Sequence, residues 1–288
     1  MVRNSGSDRF RLTGQIHPVD YFRFVERDEM DWQVWTDVLR GRVAGAVFRG
    51  ILPPDVCERI RRNFWSSPML RTKEHSTRDA DYSCGHHLFS APSLDWYLDE
   101  ADRARPVLEA LCGGPGRTPL SLLDEYRRYL ANQGIRLRVA EHQGRRAAPF
   151  RLRSRGDDDT LVLSPHDDAE AIRHAHHIEG CEVQRVSRLC NALMCVENDS
   201  GGELLYWNIS PDRESRDALG MSTDSYGYPI ASLSGIEQLT VPVHAGDVYL
   251  FDTANVHAVA PCGGGRIFRT TVNLLTGELD EETTVYWS

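Results

Sequence analysis

His166-Asp167-Asp168 closes an apolar run, and His257 and Arg269 answer it far downstream. Two imidazoles and one carboxylate can cap one face of a metal ion and leave the opposite face open, the coordination that suits non-haem Fe(II) and O2 chemistry. The preceding Leu161-Val162-Leu163 is β-prone. If extension runs on through position 168, the two-residue period puts His166 and Asp168 on one face and turns Asp167 away. Asp168 is then the ligand and Asp167 a solvated neighbour.

A His-x-Asp triplet gains weight from its company. Downstream come the apolar strand Asn191-Ala192-Leu193-Met194-Cys195-Val196, a turn at 197–200, and Gly201-Gly202-Glu203-Leu204-Leu205-Tyr206-Trp207. Leu239-Thr240-Val241-Pro242-Val243 leads through the turn Ala245-Gly246-Asp247 to Val248-Tyr249-Leu250-Phe251. His257 sits in Asn255-Val256-His257-Ala258-Val259-Ala260-Pro261, and a final strand spans Arg266 to Leu274. This order resembles the Fe(II)/2-oxoglutarate-dependent dioxygenase superfamily, in the branch with a prolyl 4-hydroxylase-like core. The resemblance covers residues 148 to 276 and rests on five ordered motifs: H-x-D, G-G-E-L, G-D-x-x-x-F, H-x-V-x-P and a following arginine.

The resemblance implies a double-stranded β-helix, a cupin-like jelly roll within an α+β, mainly β chain. It implies Fe(II) held by His166, Asp168 and His257, with 2-oxoglutarate as cosubstrate, O2 as oxidant, and Arg269 or Arg266 on the far carboxylate. Two arguments compete for that carboxylate. Strand alternation groups Arg269 with Thr271 and Asn273 on a polar face, which favours Arg269 as the salt-bridge partner. Spacing favours Arg266, nine residues after His257, over Arg269, twelve after it. Relatives that halogenate replace the carboxylate ligand by Gly or Ala; Asp168 keeps the acid, so the resemblance implies hydroxylation, with desaturation or cyclisation on the same chemistry.

The elements that must position these residues divide at about residue 134. Residues 1–134 are expected as an N-terminal helical elaboration with an opening strand at 47–52, and 135–288 as the β-helix core with an insertion at 208–235, all in one oxygenase domain. Pro53-Pro54-Asp55 opens a helix with Val56, Ile60 and Phe64 at helical spacing, since proline loses nothing in a first turn. Further helices are expected at 101–112 and 119–132, stopped by Gly113-Gly114 and Gly134, and strands near 135–140 and 149–154. Two stretches, 66–95 and 208–235, read as long irregular loops; the second is either a lid or a solvated insertion.

Composition narrows the function. With 288 residues, 41% of them hydrophobic, the chain can bury a full core. A formal net charge of −9 argues against nucleic acid as a partner. No apolar run approaches the roughly 20 residues of a spanning helix, and the start lacks a signal-peptide core, so a cytoplasmic protein with no membrane partner is expected. Lys73 is the sole lysine against 32 arginines, a bias of GC-rich bacterial genomes. The seven cysteines (57, 84, 112, 181, 190, 195 and 262) form no C-x-x-C pair and are expected as reduced thiols.

Other histidine clusters read as structural. His174, His176 and His177 with Glu179 lack a distal partner and are expected on a hydrated loop or helix face; His86-His87 lies in a loop. There is no HExxH helix, nucleophile elbow or Walker A run. The Gly263-Gly264-Gly265 run is expected as a hairpin turn. The function these features suggest is oxidation of a small metabolite, an amino acid or a natural-product intermediate. Two alternatives stand beside it: a prolyl-type hydroxylase acting on a protein, and a non-catalytic cupin-like binding protein.

Overall fold

The computed structural model describes residues 11–72, 81–156, 161–220, 227–263 and 268–288, apart from the side chains at positions 171 and 174. Arg266, Lys73 and most of the Gly263-Gly264-Gly265 run lie outside the described residues.

Period-two alternation in the central strands decides the architecture. In Leu189–Glu197, Ala192, Met194 and Val196 face one core and Leu193 and Cys195 another. Val248–Asp252 repeats this, with Val248 and Leu250 on one side and Tyr249 and Phe251 on the other. The long strand Phe268–Asp280 turns Val272 and Leu274 toward the first core. A strand that is apolar on both faces must be covered on both. Here helices cover one side and a second sheet the other.

The large sheet runs, strand by strand, Phe24–Arg27, Gly45–Phe48, Val248–Asp252, Leu189–Glu197, Phe268–Asp280, Arg151–Gly156, Asp81–Cys84 and Arg71–Thr72; Thr283–Trp287 and Arg136–Val139 extend it from the long strand. The small sheet is Leu163–His166, His257–Val259, Leu204–Trp207 and Gln238–Val241. Neighbours are antiparallel except for Phe24–Arg27 on Gly45–Phe48 and Thr283–Trp287 on Arg136–Val139. The two sheets form the double-stranded β-helix. Helices Trp32–Leu39, Pro54–Trp65, Leu94–Cys112 and Pro119–Ala131 supply Val38, Ile60, Phe64, Leu108, Leu122 and Tyr126 to the outer core. All seven cysteines are buried free thiols. No described helix is long and apolar enough to cross a membrane.

The helix from Pro54 begins where the prolines place it, with Pro53 as N-cap and Asp55 in the first turn. The next helix starts at Leu94 rather than 101, because the Ser93 side chain caps the Trp96 amide. That start shortens the irregular stretch expected at 66–95, which also contains the strand Asp81–Cys84. This strand is too polar to show an apolar pattern; it is held by pairing with Arg151–Gly156 and by Arg153, whose guanidinium donates to both Asp81 carboxylate oxygens at 3.1 and 2.7 Å. The 208–235 insertion likewise has structure of its own: a helix Arg213–Ala218 capped by Asp212, and a 3-10 turn Ile230–Leu233.

Asp167 contradicts the expectation of a solvated neighbour. It is 5% exposed. Its Oδ2 accepts from Arg216 Nη1 and, at 2.6 Å, from the Tyr228 hydroxyl, both donors coming from the insertion. Extension ends at His166, so Asp167 turns into the protein rather than out to water, and the insertion is riveted to the strand that carries His166. The Arg216 and Asp167 side chains are only 10% and 2% exposed, so removing one partner leaves a buried charge uncompensated. Asp167→Ala and Arg216→Leu are each expected to lower stability by about 3–5 kcal/mol in urea unfolding, and the joint replacement Asp167→Leu/Arg216→Leu by much less than their sum. Losses under about 1 kcal/mol, typical of a surface pair, contradict the rivet.

Candidate metal centre

His166 and His257 lie directly opposite each other across the antiparallel pair Leu163–His166 and His257–Val259. Their ring centroids are 4.2 Å apart. Asp168 arrives by a different route from the one expected. The strand ends at His166, and Asp168 is the N-cap of the short helix Ala169–His174, with its amide bonded to the Thr253 carbonyl at 3.1 Å. A helix start, not strand alternation, brings its carboxylate back beside the two imidazoles.

The protonation pattern suits a cation. Nδ1 of His166 lies 2.7 Å from the Ser164 carbonyl, and Nδ1 of His257 lies 3.0 Å from the Asn255 carbonyl. A carbonyl only accepts, so each Nδ1 carries the proton and each Nε2 presents a lone pair. Those lone pairs face Asp168, with His166 Nε2 to Oδ1 at 3.7 Å and His257 Nε2 to Oδ2 at 3.6 Å. One ligand atom from each residue falls within 4.8 Å of the others, and all three residues are buried. His257 Nε2 is buried with no hydrogen-bond partner. Burial, and behind it the second imidazole, hold His166 down at about 3, so it stays neutral. Burial works to raise Asp168, and a proton taken up beside it by either imidazole would bring it below the usual carboxylate range. Two lone pairs and a carboxylate converging in a dry place form a group that could hold a metal cation. The backbone carbonyls behind both rings are the orienting partners that metal-ligating histidines use.

The group opens into a cavity of about 500 Å³ between the two sheets. Arg269, Thr271 and Asn273 line it from the long strand, and Arg151, Arg153 and Arg155 from the strand paired with it. Arg269 is 6% exposed, and among the described residues the groups acting on it are Tyr249, Cys195 and Cys262, with no carboxylate among them. One of its nitrogens donates to the Tyr249 hydroxyl, while its Nε is buried without a partner. Burial pushes the Tyr249 phenol up to about 12, so it remains a neutral O–H beside the guanidinium. Such a buried cation is poised for an anion. Gly202 of the G-G-E-L motif makes room for it: φ is +67°, and a Cβ there falls 2.7 Å from Arg269 Cδ.

No protein-family model matches the sequence. A stretch of 133 residues, 46% of the chain, is 31% identical to the L-isoleucine 3(1)-dioxygenase of Pantoea ananatis (strain AJ13355), and spans 44% of that enzyme. The chain therefore covers less than half the length of this curated relative. Among solved structures, an N-substituted L-amino acid dioxygenase from Burkholderia ambifaria AMMD superposes with a TM-score of 0.60 at 13% identity, over 89% of this chain and 91% of that one. The same enzyme in complex with alpha-KG gives 0.58, over 89% and 90%. The chain has the fold of the Fe(II)/2-oxoglutarate-dependent dioxygenase superfamily.

Within that fold His87 lines the same cavity and lies close enough to act on the Asp168 carboxylate, whereas His176 and His177 do not line it. His176 is exposed, and His177 Nε2 lies 3.4 Å from the Leu88 carbonyl. Several cavity residues gave no motif signal: Asp81 and His87 from the stretch expected to be irregular, and the three arginines of 151–155. The period-two spacing of those arginines was the one clue that they share a face.

If each of the three holds one coordination position, His166→Ala, Asp168→Ala and His257→Ala are each expected to weaken Co(II) binding at least tenfold in anaerobic titration, with His176→Ala and His177→Ala near wild type. Wild-type affinity in Asp168→Ala removes the carboxylate from the set.

Proposed function

We propose that this protein is a non-haem Fe(II)/2-oxoglutarate-dependent dioxygenase that hydroxylates a small metabolite of the amino-acid class, with His166, Asp168 and His257 as the metal ligands and Arg269 on the cosubstrate. The observation that carries this reading is one cavity holding both an inward-facing His-Asp-His group and a buried arginine with no described carboxylate. Bound there, Fe(II) with 2-oxoglutarate activates O2 to oxidise a C–H bond, releasing succinate and CO2.

Each side chain has a defined part in that chemistry. His166, Asp168 and His257 would hold the ion, which would supply the O2 chemistry at this end of the cavity. Arg269 holds the far carboxylate of 2-oxoglutarate, and Tyr249, which accepts from Arg269, keeps its own O–H for the same carboxylate. Phe251, whose ring centroid is 4.7 Å from that of His257, closes the apolar side of the centre. Leu193, Leu204, Val162 and Val259 line the cavity as well and exclude water from the reacting carbon. With Asp168 a carboxylate that would serve as a ligand, hydroxylation rather than halogenation is the outcome this site favours. A cavity of this size suits a metabolite rather than a folded protein.

The relatives support the substrate class: one acts on L-isoleucine and another on N-substituted L-amino acids. The direct assay is succinate formation from 2-oxoglutarate with Fe(II) and ascorbate across a panel of amino acids and their derivatives. Absence of succinate throughout, with metal and 2-oxoglutarate bound, favours a binding protein instead.

Removing a buried arginine from a carboxylate costs on the order of 2–5 kcal/mol. At ~1.4 kcal/mol per decade, Arg269→Leu is expected to weaken 2-oxoglutarate binding roughly thirty-fold or more in calorimetric titration of the Ni(II) protein, with metal still bound. Gly202→Ala, which presses on the same guanidinium, is expected to weaken it in the same direction. Unchanged affinity in Arg269→Leu, with a large loss in Arg266→Leu, transfers the role to Arg266.

A further inference from the structure

The loop that carries His257 is held from outside the cavity by a chain of hydrogen bonds whose direction is fixed at every link. Asn255 is fully buried. Its Nδ2 donates to the Trp207 carbonyl at 3.1 Å, and a carbonyl only accepts, so Oδ1 is the atom that faces Ser210. The Ser210 hydroxyl spends its one proton on that oxygen at 2.7 Å. His17 Nε2, 3.0 Å from the same hydroxyl, must therefore be the donor to it. Burial lowers the His17 pKa, which keeps the ring neutral with its proton on Nε2. The backbone of His17 is clamped in turn by Asn208, which accepts from the His17 amide at 2.9 Å and donates to its carbonyl at 3.0 Å. The chain thus runs from the strap at Gly14–Gln15, through the start of the insertion, to the residue two positions before a metal ligand.

We propose that Ser210 and His17 are positioning residues for His257, acting through Asn255. This assignment rests on the metal-centre reading. The peptide unit between Asn255 and Val256 makes two bonds: its carbonyl accepts from His257 Nδ1 at 3.0 Å, and its N–H donates to the Ile209 carbonyl at 3.0 Å. Ile209 and Ser210 therefore hold the same unit, one through the backbone and the other through the Asn255 side chain. With that carboxamide tied at both ends, the carbonyl is held in place, the ring keeps its proton on Nδ1, and Nε2 stays aimed at Asp168. Without the Ser210 hydroxyl, Asn255 Oδ1 is a buried acceptor that has lost its donor, and the residue recovers a bond only by turning. Groups behind a ligating histidine carry roughly ten- to a hundredfold in metal affinity. A chain that merely satisfied a buried amide would affect stability alone. Tyr21 supplies the comparison: its ring centroid lies 4.4 Å from that of His17, but its hydroxyl donates at 2.9 Å to Asp252 Oδ2 and not to the Asn255 chain.

The test reads each variant in two ways. In the metal-free protein, proton NMR follows the Nδ1-bound proton of His257, a downfield resonance identified by its loss in His257→Ala. The resonance is expected to be sharp in the wild type and broadened by exchange with water in Ser210→Ala and His17→Phe. Anaerobic Co(II) titration is expected to show affinity lowered about tenfold in each of these, and no further in the double variant, because both residues act through one chain. Ser210→Thr, which keeps a hydroxyl, and His17→Gln, which keeps an N–H donor, are expected to restore both readouts. Tyr21→Phe is expected to lower the urea midpoint and leave both readouts at wild type. Unchanged resonance and affinity in Ser210→Ala, no recovery in either conservative variant, or an equal loss of affinity in Tyr21→Phe overturns the assignment. Failure of the wild type to bind Co(II) overturns the metal-centre reading instead, and the His257 resonance of the metal-free protein still decides whether Ser210 and His17 hold the ring.

Discussion

Two histidines forced to face each other across an antiparallel strand pair are the constraint on which the rest of this structure depends. Each ring is fixed by donating Nδ1 to a carbonyl two residues before it, so each must turn its Nε2 lone pair inward. The Asp168 carboxylate completes a set that repels itself until a cation is present. The surroundings hold this arrangement in place: Thr253 anchors the Asp168 amide, Tyr206 pairs in register with His257, and Asp167 ties the strand to the insertion through Arg216 and Tyr228. Rigidity around an electrostatically unfavourable cluster is what pre-organises a metal site.

The large sheet supplies the complementary charge. Arg269 and the arginines of Arg151–Gly156 project into the cavity because the strands alternate, the same alternation that sends Leu152, Val272 and Leu274 to the helix-covered core. One covalent pattern therefore serves stability on one face and anion recognition on the other. The motif glycines fit into this: Gly202 leaves space for Arg269, while Gly246 has φ of +95° and a site for Cβ only 2.9 Å from the Leu52 carbonyl, which only glycine accommodates. Asp247 beside it is structural, accepting from the Gly50 and His244 amides and pairing with Arg49.

Much of this was legible because apolar alternation and caps are local. The strands around 191–196, 204–207, 248–251 and 268–274, and the helices opened by Pro53-Pro54 and by Thr118, follow from nearest-neighbour pattern. His166, Asp168 and His257 were legible through spacing and order. The face of Arg269 followed from alternation, whereas Arg266 lies outside the described residues. What escaped notice depends on tertiary partners. Asp81–Cys84 is a strand only because Arg153 and the neighbouring strand satisfy it, and Asp167 is buried only because Arg216 and Tyr228 reach it from about fifty residues away. Asp168 departs from alternation for the same reason: the strand ends at His166, two residues earlier, and Asp168 is the N-cap of the following helix.

The central claim is that two imidazoles and one carboxylate hold the metal and leave room for a chelating cosubstrate. Fe K-edge X-ray absorption of the anaerobic Fe(II) protein, before and after 2-oxoglutarate, tests it most directly. The expected spectrum is a nitrogen and oxygen shell with outer scattering from two imidazoles, which persists when 2-oxoglutarate binds. Sulfur in the first shell, in a protein with seven buried thiols, or scattering from fewer than two imidazoles contradicts it.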